Sequence, residues 1–207
     1  MTDYIILSFL WLLWCSIHSL LIADPVINYF RKKLNDDFRF YRLLYNLISV
    51  ITLVPVLYYG YIVKGPLLFT WQGGFIIIQF IFFMIAITLF LAGAKKYDML
   101  VFLGIRQIHS GKSRATLSEA GDIDMTGIHE IVRHPWYIGG IIFLWVINKN
   151  IYVSTFLTNF ILTGYLITGA WLEEKKLIAC CGDEYRNYQK RVSMLIPVKW
   201  VRAKFNL

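Results

Sequence analysis

Long apolar segments dominate this sequence and limit what it can fold into. Five can be read along the chain, at residues 4–23, 43–63, 74–94, 136–147 and 151–172. Four of them are close to the ~20 residues of helix that cross about 30 Å of hydrocarbon. The chain has 57 % hydrophobic and only 16 % charged residues, and its mean hydropathy is +0.56. We therefore expect an all-helical (all-α) integral membrane protein with about five transmembrane helices.

Lysine and arginine are distributed unequally between the loops. Residues 24–42 hold five, residues 95–133 six and residues 173–207 eight, whereas the other loops hold two, Lys64 and Lys149. Because cytoplasmic loops carry the excess of positive charge, this predicts an amino terminus outside and a carboxyl tail in the cytoplasm.

The formal net charge of +8 fits contact with anionic membrane lipid, and nucleic acid is the poorer interpretation because the sequence has no soluble basic domain. The tail mixes aromatic with basic residues, as expected of either an interfacial segment or a solvated helix.

We treat residues 1–94 as an amino-terminal three-helix membrane region. Residues 95–207 form a second unit with a loop, a helical hairpin and the tail. Cys15, Cys180 and Cys181 are expected to be free thiols.

The last two apolar segments differ in length, at about 18 Å and about 33 Å of helix. Joined at the polar turn 148–150, they should form a helical hairpin. With straight helices, Arg133 and His134 would lie roughly 15 Å nearer to that turn than Glu173 and Glu174. Either the stretch from Arg133 to Tyr137 is sunk in a cytoplasm-facing cavity, or the hairpin does not cross the membrane fully.

Charges of both signs are placed around this hairpin. Pro135 can open a helix, and Arg133 beside its first amide groups attracts anions. Glu173 and Glu174 end the last apolar segment, where the helix dipole disfavours carboxylates unless a cation offsets it. Such a site suits a zwitterionic ligand. The alternative is that Arg133 reaches lipid phosphate while the glutamates pair with lysines such as Lys176.

The carboxyl-terminal third carries the motifs of a known family. "RHPWYIGG" is followed, after one hairpin, by "EEKKLIACCGDEYRNYQKRVSMLIP". An RHPxYxG turn, a pair of glutamates, a GxxYxxY segment and a terminal proline in this order resemble the integral-membrane methyltransferases related to isoprenylcysteine carboxyl methyltransferase. "SIHSLL", "YRLLYNLIS" and "YDMLVFLGIRQI" are more similar to the NnrU-like and methanethiol S-methyltransferase-like branch.

The resemblance implies S-adenosylmethionine as cofactor, bound without a Rossmann domain, and the inner (plasma) membrane of a prokaryote as location. It implies that the cofactor is lined by residues of the RHPxYxG turn and the two glutamates: Arg133, His134, Pro135, Trp136, Tyr137, Gly139, Glu173 and Glu174. The family commonly has tyrosine where this chain has His129, which leaves open whether the acceptor preference is the same.

Catalysis of methyl transfer needs alignment and electrostatics more than covalent chemistry. A thiol acceptor, with a pKa near ~8.5, also benefits from a base or a nearby cation. His129, His134, His109 and Arg106 are candidates for this task. For each histidine taken alone, an ordinary loop position or a hydrogen-bonded structural role is the favoured interpretation. No metal is expected, because the histidine spacing matches no standard ligand set.

The sequence therefore predicts a membrane-embedded methyltransferase whose acceptor is a thiol or another small, lipid-soluble nucleophile. Isoprenylcysteine carboxyl O-methylation and phospholipid methylation are alternatives. A non-catalytic membrane factor or small-ligand carrier is an alternative of another class. Oligomeric state does not follow from the sequence.

The two adjacent glutamates should differ, because neighbouring helical residues project about 100° apart. Glu173 shares a helix face with Gly169, and a glycine one turn away leaves room for a ligand. This favours Glu173 as the carboxylate that meets the ligand. The rival interpretation is that Gly169 serves only close helix packing, which would turn Glu173 toward a neighbouring helix instead. His18, inside the first apolar segment, is expected to be structural, with Ser16, Ser19 or a neighbouring helix as partner.

Overall fold

The computed structural model of the protein describes residues 1–94, 99–110 and 125–205, apart from the side chains of residues 94, 109 and 110. These residues form helices and one small sheet. The helices are α1 Thr2–Leu21, α2 Asp24–Leu34, α3 Tyr41–Ile62, α4 Phe75–Ala94, α5 Met99–Leu103, α6 Ile105–Ser110, α7 Ile128–Ile131, α8 Pro135–Val146, α9 Val153–Arg191 and α10 Val198–Phe205. A 3-10 helix, Asn35–Phe40, joins α2 to α3. Strand β1, Leu67–Thr70, pairs antiparallel with β2, Asn150–Tyr152.

Four helical runs in the described ranges are long and apolar enough to cross a membrane. They are Thr2–Leu21, Asp24–Ile62, Phe75–Gly93 and Val153–Arg191. The remaining predicted segment, 136–147, corresponds to the shorter apolar helix α8, of 12 residues. The chain is thus a mostly helical membrane protein, and the number of segments that cross the bilayer stays a prediction. Each predicted apolar segment contains a helix, because long apolar runs satisfy their backbone groups internally only as helices or closed barrels.

One compact unit contains residues 1–70, the described part of 97–120, and residues 150–162. Its core packs Leu7 and Trp11 of α1 against Val56 of α3. Trp11 also donates its indole N–H to Thr158 of α9, at 2.8 Å. Aromatic and aliphatic side chains thus fill this unit, while a few polar bonds fix the register of its helices.

The same unit encloses His18, whose partners lie on α3. The Tyr45 hydroxyl is 2.6 Å from His18 Nε2, and the Ser49 hydroxyl is 3.0 Å from Nδ1. Trp14 stacks on the imidazole with ring centroids 4.9 Å apart. The prediction that His18 bonds to a neighbouring helix is confirmed.

The second unit contains the described parts of residues 71–96, 121–149 and 163–207. Within it, α4 packs closely on α8. A Cβ on Gly139 would lie 3.3 Å from the Ala86 carbonyl oxygen, and a Cβ on Gly93 would overlap the Trp136 ring. Trp136 donates its indole N–H to the Phe90 carbonyl, at 3.0 Å. Small residues therefore let these two helices approach closely, as is common in membranes.

The same unit shows that α8 and α9 form the predicted hairpin. Trp145 donates to the Thr163 hydroxyl at 3.1 Å, Gly140 faces Leu166, and Tyr137 lies against Gly169. Residue numbers rise along one helix as they fall along the other, so the two helices are antiparallel.

The predicted depth difference within this hairpin is wrong. His134 lies level with Glu174, with Nε2 only 2.9 Å from Oε1. A depth difference would require the end of α8 to face the start of α9. Instead Trp145, one residue before α8 ends, is level with Thr163, the eleventh residue of α9. This offset compensates for the shortness of α8.

Helix α9 contains a sharp reversal at Gly182. This residue has φ 55° and ψ −128°, a conformation that glycine adopts readily and that strains other residues by about 1 to 3 kcal/mol. A straight helix would place Gln189 about 22 Å from Glu174. The Gln189 amide instead donates to the Glu174 carboxylate, at 2.5 Å. The chain after Gly182 therefore folds back along the preceding turns.

Candidate functional site

The turn before α8 carries the polar residues of the second unit. Pro135 occupies the first turn of α8, and His134 before it has non-helical backbone angles, φ −121° and ψ 65°. This follows from the steric restriction that a proline places on the residue ahead of it. The extended backbone at Val132 forms a parallel bridge with Ser193. The bridge continues as bonds from the Arg133 N–H to the Ser193 carbonyl, at 2.9 Å, and from the His134 N–H to the Met194 carbonyl, at 3.2 Å.

Arg133 and Glu174 form a buried, bidentate ion pair. Arg133 Nε lies 2.7 Å from Glu174 Oε1, and Nη2 lies 2.7 Å from Oε2. Each side chain is 7 % exposed. Two parallel charge-assisted bonds hold both planar groups in one orientation. The interpretation in which Arg133 reaches lipid phosphate is therefore wrong.

Glu174 accepts three further hydrogen bonds from side chains. His134 Nε2 lies 2.9 Å from Oε1, the Tyr185 hydroxyl 2.7 Å from Oε1, and Gln189 Nε2 2.5 Å from Oε2. A carboxylate offers about four lone-pair sites, so these five bonds use its accepting capacity. The donors also favour the ionised form over the neutral one.

Arg133 has further partners on the backbone of the returning segment. Its Nη1 donates to the Gln189 carbonyl at 3.3 Å and to the Val192 carbonyl. The guanidinium thus ties the segment after Gly182 to the turn before α8. In this arrangement Arg133 acts inside the protein, and its predicted contact with a ligand remains a prediction.

Glu173 differs sharply from its neighbour. Its side chain is 28 % exposed, and Oε2 lies 3.9 Å from His134 Nδ1. This distance exceeds that of a hydrogen bond. In the tautomer that donates Nε2–H to Glu174, His134 Nδ1 carries a lone pair. A half-exposed carboxylate and an imidazole lone pair therefore lie side by side next to the buried ion pair.

The room beside Gly169 is filled by protein. A Cβ on Gly169 would lie 3.2 Å from Tyr137 Cε1, so the ring of Tyr137 occupies the space that the sequence argument assigned to a ligand. Gly169 thus serves close helix packing, as the rival interpretation holds, while the role of Glu173 toward a ligand stays a prediction. Tyr137 also meets His134 edge-on, with ring centroids 5.4 Å apart. Trp136, Tyr137 and Gly139 thus contact α4 or α9, and their cofactor contacts stay predictions.

The candidate bases fall in different places. His129 is buried, with Nδ1 3.2 Å from the Arg133 carbonyl, and its own carbonyl accepts the Tyr188 hydroxyl at 2.6 Å. It therefore shapes the turn. Arg106 belongs to the first unit, where it is exposed on α6. The side chain of His109 lies outside the described residues.

Sequence reasoning missed Tyr185 and Gln189. Tyr185 is 1 % exposed and Tyr188 3 %, although both belong to a charged helix after the last apolar segment. The available signal was their spacing: positions 185, 188 and 189 share one helix face, directly after a glycine that can reverse the chain.

In the parts of the chain that the structure describes, no group of three or more His, Cys, Asp or Glu side chains could hold a metal ion.

The fold and this cluster define a helical membrane protein with a buried Arg-His-Glu network at the mouth of a helical hairpin. The chain belongs to the NnrU family, whose model matches residues 6–201. No solved structure matches it significantly.

Several curated proteins are similar to part of the chain. The methanethiol S-methyltransferase of Pseudomonas deceptionensis is 40 % identical over 70 residues, covering 34 % of this chain and 26 % of that protein. Methanethiol S-methyltransferase 1 of Bradyrhizobium diazoefficiens is 42 % identical over 76 residues, 37 % of this chain and 26 % of that protein. The protein-S-isoprenylcysteine O-methyltransferase of Schizosaccharomyces pombe is 34 % identical over 76 residues, 35 % and 31 % of the two chains. The matches thus span only about a quarter to a third of these relatives.

Proposed function

We propose that this chain is a membrane-embedded methyltransferase that uses S-adenosylmethionine and methylates a thiol or another small apolar nucleophile. The observation that carries the proposal is the half-exposed carboxylate of Glu173 beside the internally paired Arg133 and Glu174. A buried ion pair that is fully satisfied by protein groups can hold a neighbouring carboxylate in place for a cationic ligand. Relatives named as methanethiol S-methyltransferases favour a thiol acceptor.

The residues fit this cofactor chiefly through Glu173. S-adenosylmethionine supplies a methyl group already activated on a positively charged sulfur, together with an ammonium group. Glu173 provides a carboxylate for one of these positive charges, and the half-buried rings of Trp136 and Tyr137 provide aromatic surface for adenine. Arg133 is proposed as the residue that organises this site through Glu174.

His134 is the proposed base for a thiol acceptor. Its Nε2–H is held by Glu174, which leaves Nδ1 as the proton-accepting nitrogen on the side of Glu173. A thiol must lose its proton to become a strong nucleophile, and a positioned imidazole near neutral pH suits that transfer. Glu174 would then stabilise the imidazolium that forms.

A transfer assay with labelled methyl donor tests this function. Purified protein in lipid nanodiscs is offered small thiols, prenylcysteines and phospholipids in parallel. We expect labelled thioether from the thiols. Label in a prenylcysteine ester or a phospholipid would instead support the carboxyl O-methyltransferase or phospholipid alternatives. Donor binding without transfer would point to a small-ligand carrier, and failure to bind the donor would overturn the proposal.

We also propose that the amino terminus lies outside and the carboxyl tail in the cytoplasm, because positive charge is concentrated in the loops that would then be internal. In a variant lacking Cys15, Cys180 and Cys181, Lys149→Cys should react with an impermeant thiol reagent in intact cells. Asn187→Cys should react only after the membrane is opened. Both positions are exposed, so the reverse pattern would overturn the orientation.

A further inference from the structure

The chain after Gly182 returns to the end of the apolar hairpin. Glu174 lies two residues after the apolar part of α9 ends at Leu172, and it accepts hydrogen bonds from Tyr185 and Gln189. Ser193 and Met194 are bonded to the backbone directly ahead of α8. The segment that leads into α10 is therefore held level with the start of α8 and with the end of the apolar part of α9. Apolar helices end where a bilayer gives way to its headgroups, so this is the level at which an interfacial segment is expected.

Helix α10 has an uncovered apolar side. At 100° per residue, Val198, Val201 and Phe205 project within about 60° of one another. Val198 is 45 % and Phe205 64 % exposed, and Ile196 just ahead of the helix is 73 % exposed. Val201 between them is half-buried, so Val198, Val201 and Phe205 form an apolar strip that is exposed most at its two ends.

Cations flank this apolar strip. Arg202 and Lys204 project on its two sides, and both are exposed. Lys204 Nζ lies 4.7 Å from the centroid of the Trp200 ring. Tryptophan is enriched at membrane interfaces, and long basic side chains can lie along apolar surface while their charges reach phosphate.

A groove beside α10 extends the positive surface. Its volume is about 710 Å³, and its lining carries three cations against one carboxylate: Arg186, Lys190 and Lys199 against Asp183, with Asn187 and Gln189 between them. Asp183 is 97 % exposed and Arg186 61 %. The charge around the apolar strip is therefore predominantly positive.

We propose that α10 lies in the headgroup region of an anionic leaflet, with Val198, Val201 and Phe205 toward the acyl chains and Arg202 and Lys204 on lipid phosphates. The cations are complementary to anionic phospholipid. In a symmetric contact between two copies of the chain, the same patch would face itself and its cations would repel each other. This surface is separate from the proposed chemistry, so its test does not depend on activity.

Spin labels in lipid nanodiscs test the orientation of α10. On a background lacking Cys15, Cys180 and Cys181, single cysteines replace Phe205, Val198 or Ala203, where Ala203 projects on the opposite side of the helix. In discs rich in phosphatidylglycerol, labels at 198 and 205 should be more accessible to oxygen than to a water-soluble nickel chelate. The label at 203 should show the reverse. Equal accessibility of all three to the nickel chelate would overturn the proposal.

Charge removal tests why the helix docks. Each basic residue near an anionic surface favours docking about fivefold. The double change Arg202→Gln with Lys204→Gln should therefore lower the ratio of docked to undocked helix, measured with the label at position 205, by roughly 25-fold. Discs of phosphatidylcholine should have a similar effect on the unaltered chain. The matched control, Lys64→Gln with Lys149→Gln, removes the same charge elsewhere and should leave the label immersed. If docking is unchanged both in phosphatidylcholine discs and after Arg202→Gln with Lys204→Gln, an anionic leaflet is excluded as the partner.

Discussion

Exchange of Glu174 for Gln is expected to lower the free energy of unfolding by about 3 to 5 kcal/mol. The substitution leaves the Arg133 guanidinium, 7 % exposed, without its carboxylate, and removal of one member of a buried ion pair typically has this effect. It also replaces an acceptor of five hydrogen bonds by an amide with one oxygen. The measurement is denaturant unfolding in detergent micelles, followed by far-ultraviolet circular dichroism.

Glu173→Gln provides the matched control one residue away. Its side chain is 28 % exposed and lies outside hydrogen-bond distance of His134. We therefore expect this substitution to lower the free energy of unfolding by less than about 1 kcal/mol. The double variant Arg133→Met with Glu174→Gln should be more stable than the sum of the single effects predicts, because it leaves no buried charge unpaired. Equal losses from Glu173→Gln and Glu174→Gln would show that the ion pair does not hold the returning segment.

The helices of this protein were predictable because their apolar segments are long. Residues 4–23 and 74–94 correspond to α1, Thr2–Leu21, and α4, Phe75–Ala94, within two residues. A chain in hydrocarbon has few ways to satisfy its backbone, so length and hydropathy suffice. The same reasoning gave the hairpin of α8 and α9 but not its register, which depends on the chain between the two helices and on contacts such as Trp145 with Thr163.

The sequence indicated part of the polar cluster, Arg133, His134 and the two glutamates, but not the hydrogen bonds that join them. The turn before α8 and the two glutamates do come together, as the family resemblance implied, whereas straight helices of unequal length would have kept them apart in depth. The pairing of Arg133 with Glu174 depends on the reversal at Gly182, which brings Tyr185 and Gln189 back to the carboxylate. Sequence spacing describes neighbours along a helix. It does not show that a helix doubles back and supplies donors from 11 and 15 residues later.

The choice of Glu173 over Glu174 as the ligand's partner now depends on a different argument. Empty space beside Gly169 was the reason to prefer Glu173 from the sequence, and Tyr137 fills that space. In the structure Glu174 already accepts five hydrogen bonds, whereas Glu173 is half-exposed. Glu173 therefore remains the preferred carboxylate, because it has accepting capacity left and not because of the packing of α8 against α9.

Glu173→Gln is accordingly expected to weaken binding of S-adenosylmethionine by about 10- to 100-fold while the protein stays folded, since a hydrogen bond to a charged group contributes about 1.5 to 3 kcal/mol. Calorimetry on the purified protein, with the methyl donor and with its demethylated product, distinguishes two contacts. The ammonium group is present in both ligands, whereas only the donor carries the sulfonium charge. Equal weakening of both ligands would place Glu173 at the ammonium, and weakening of the donor alone would place it at the sulfonium.

The matched control is Glu184→Gln, a substitution at an exposed position of α9, which should leave both affinities unchanged. Unaltered binding of both ligands by Glu173→Gln would remove this residue from the site.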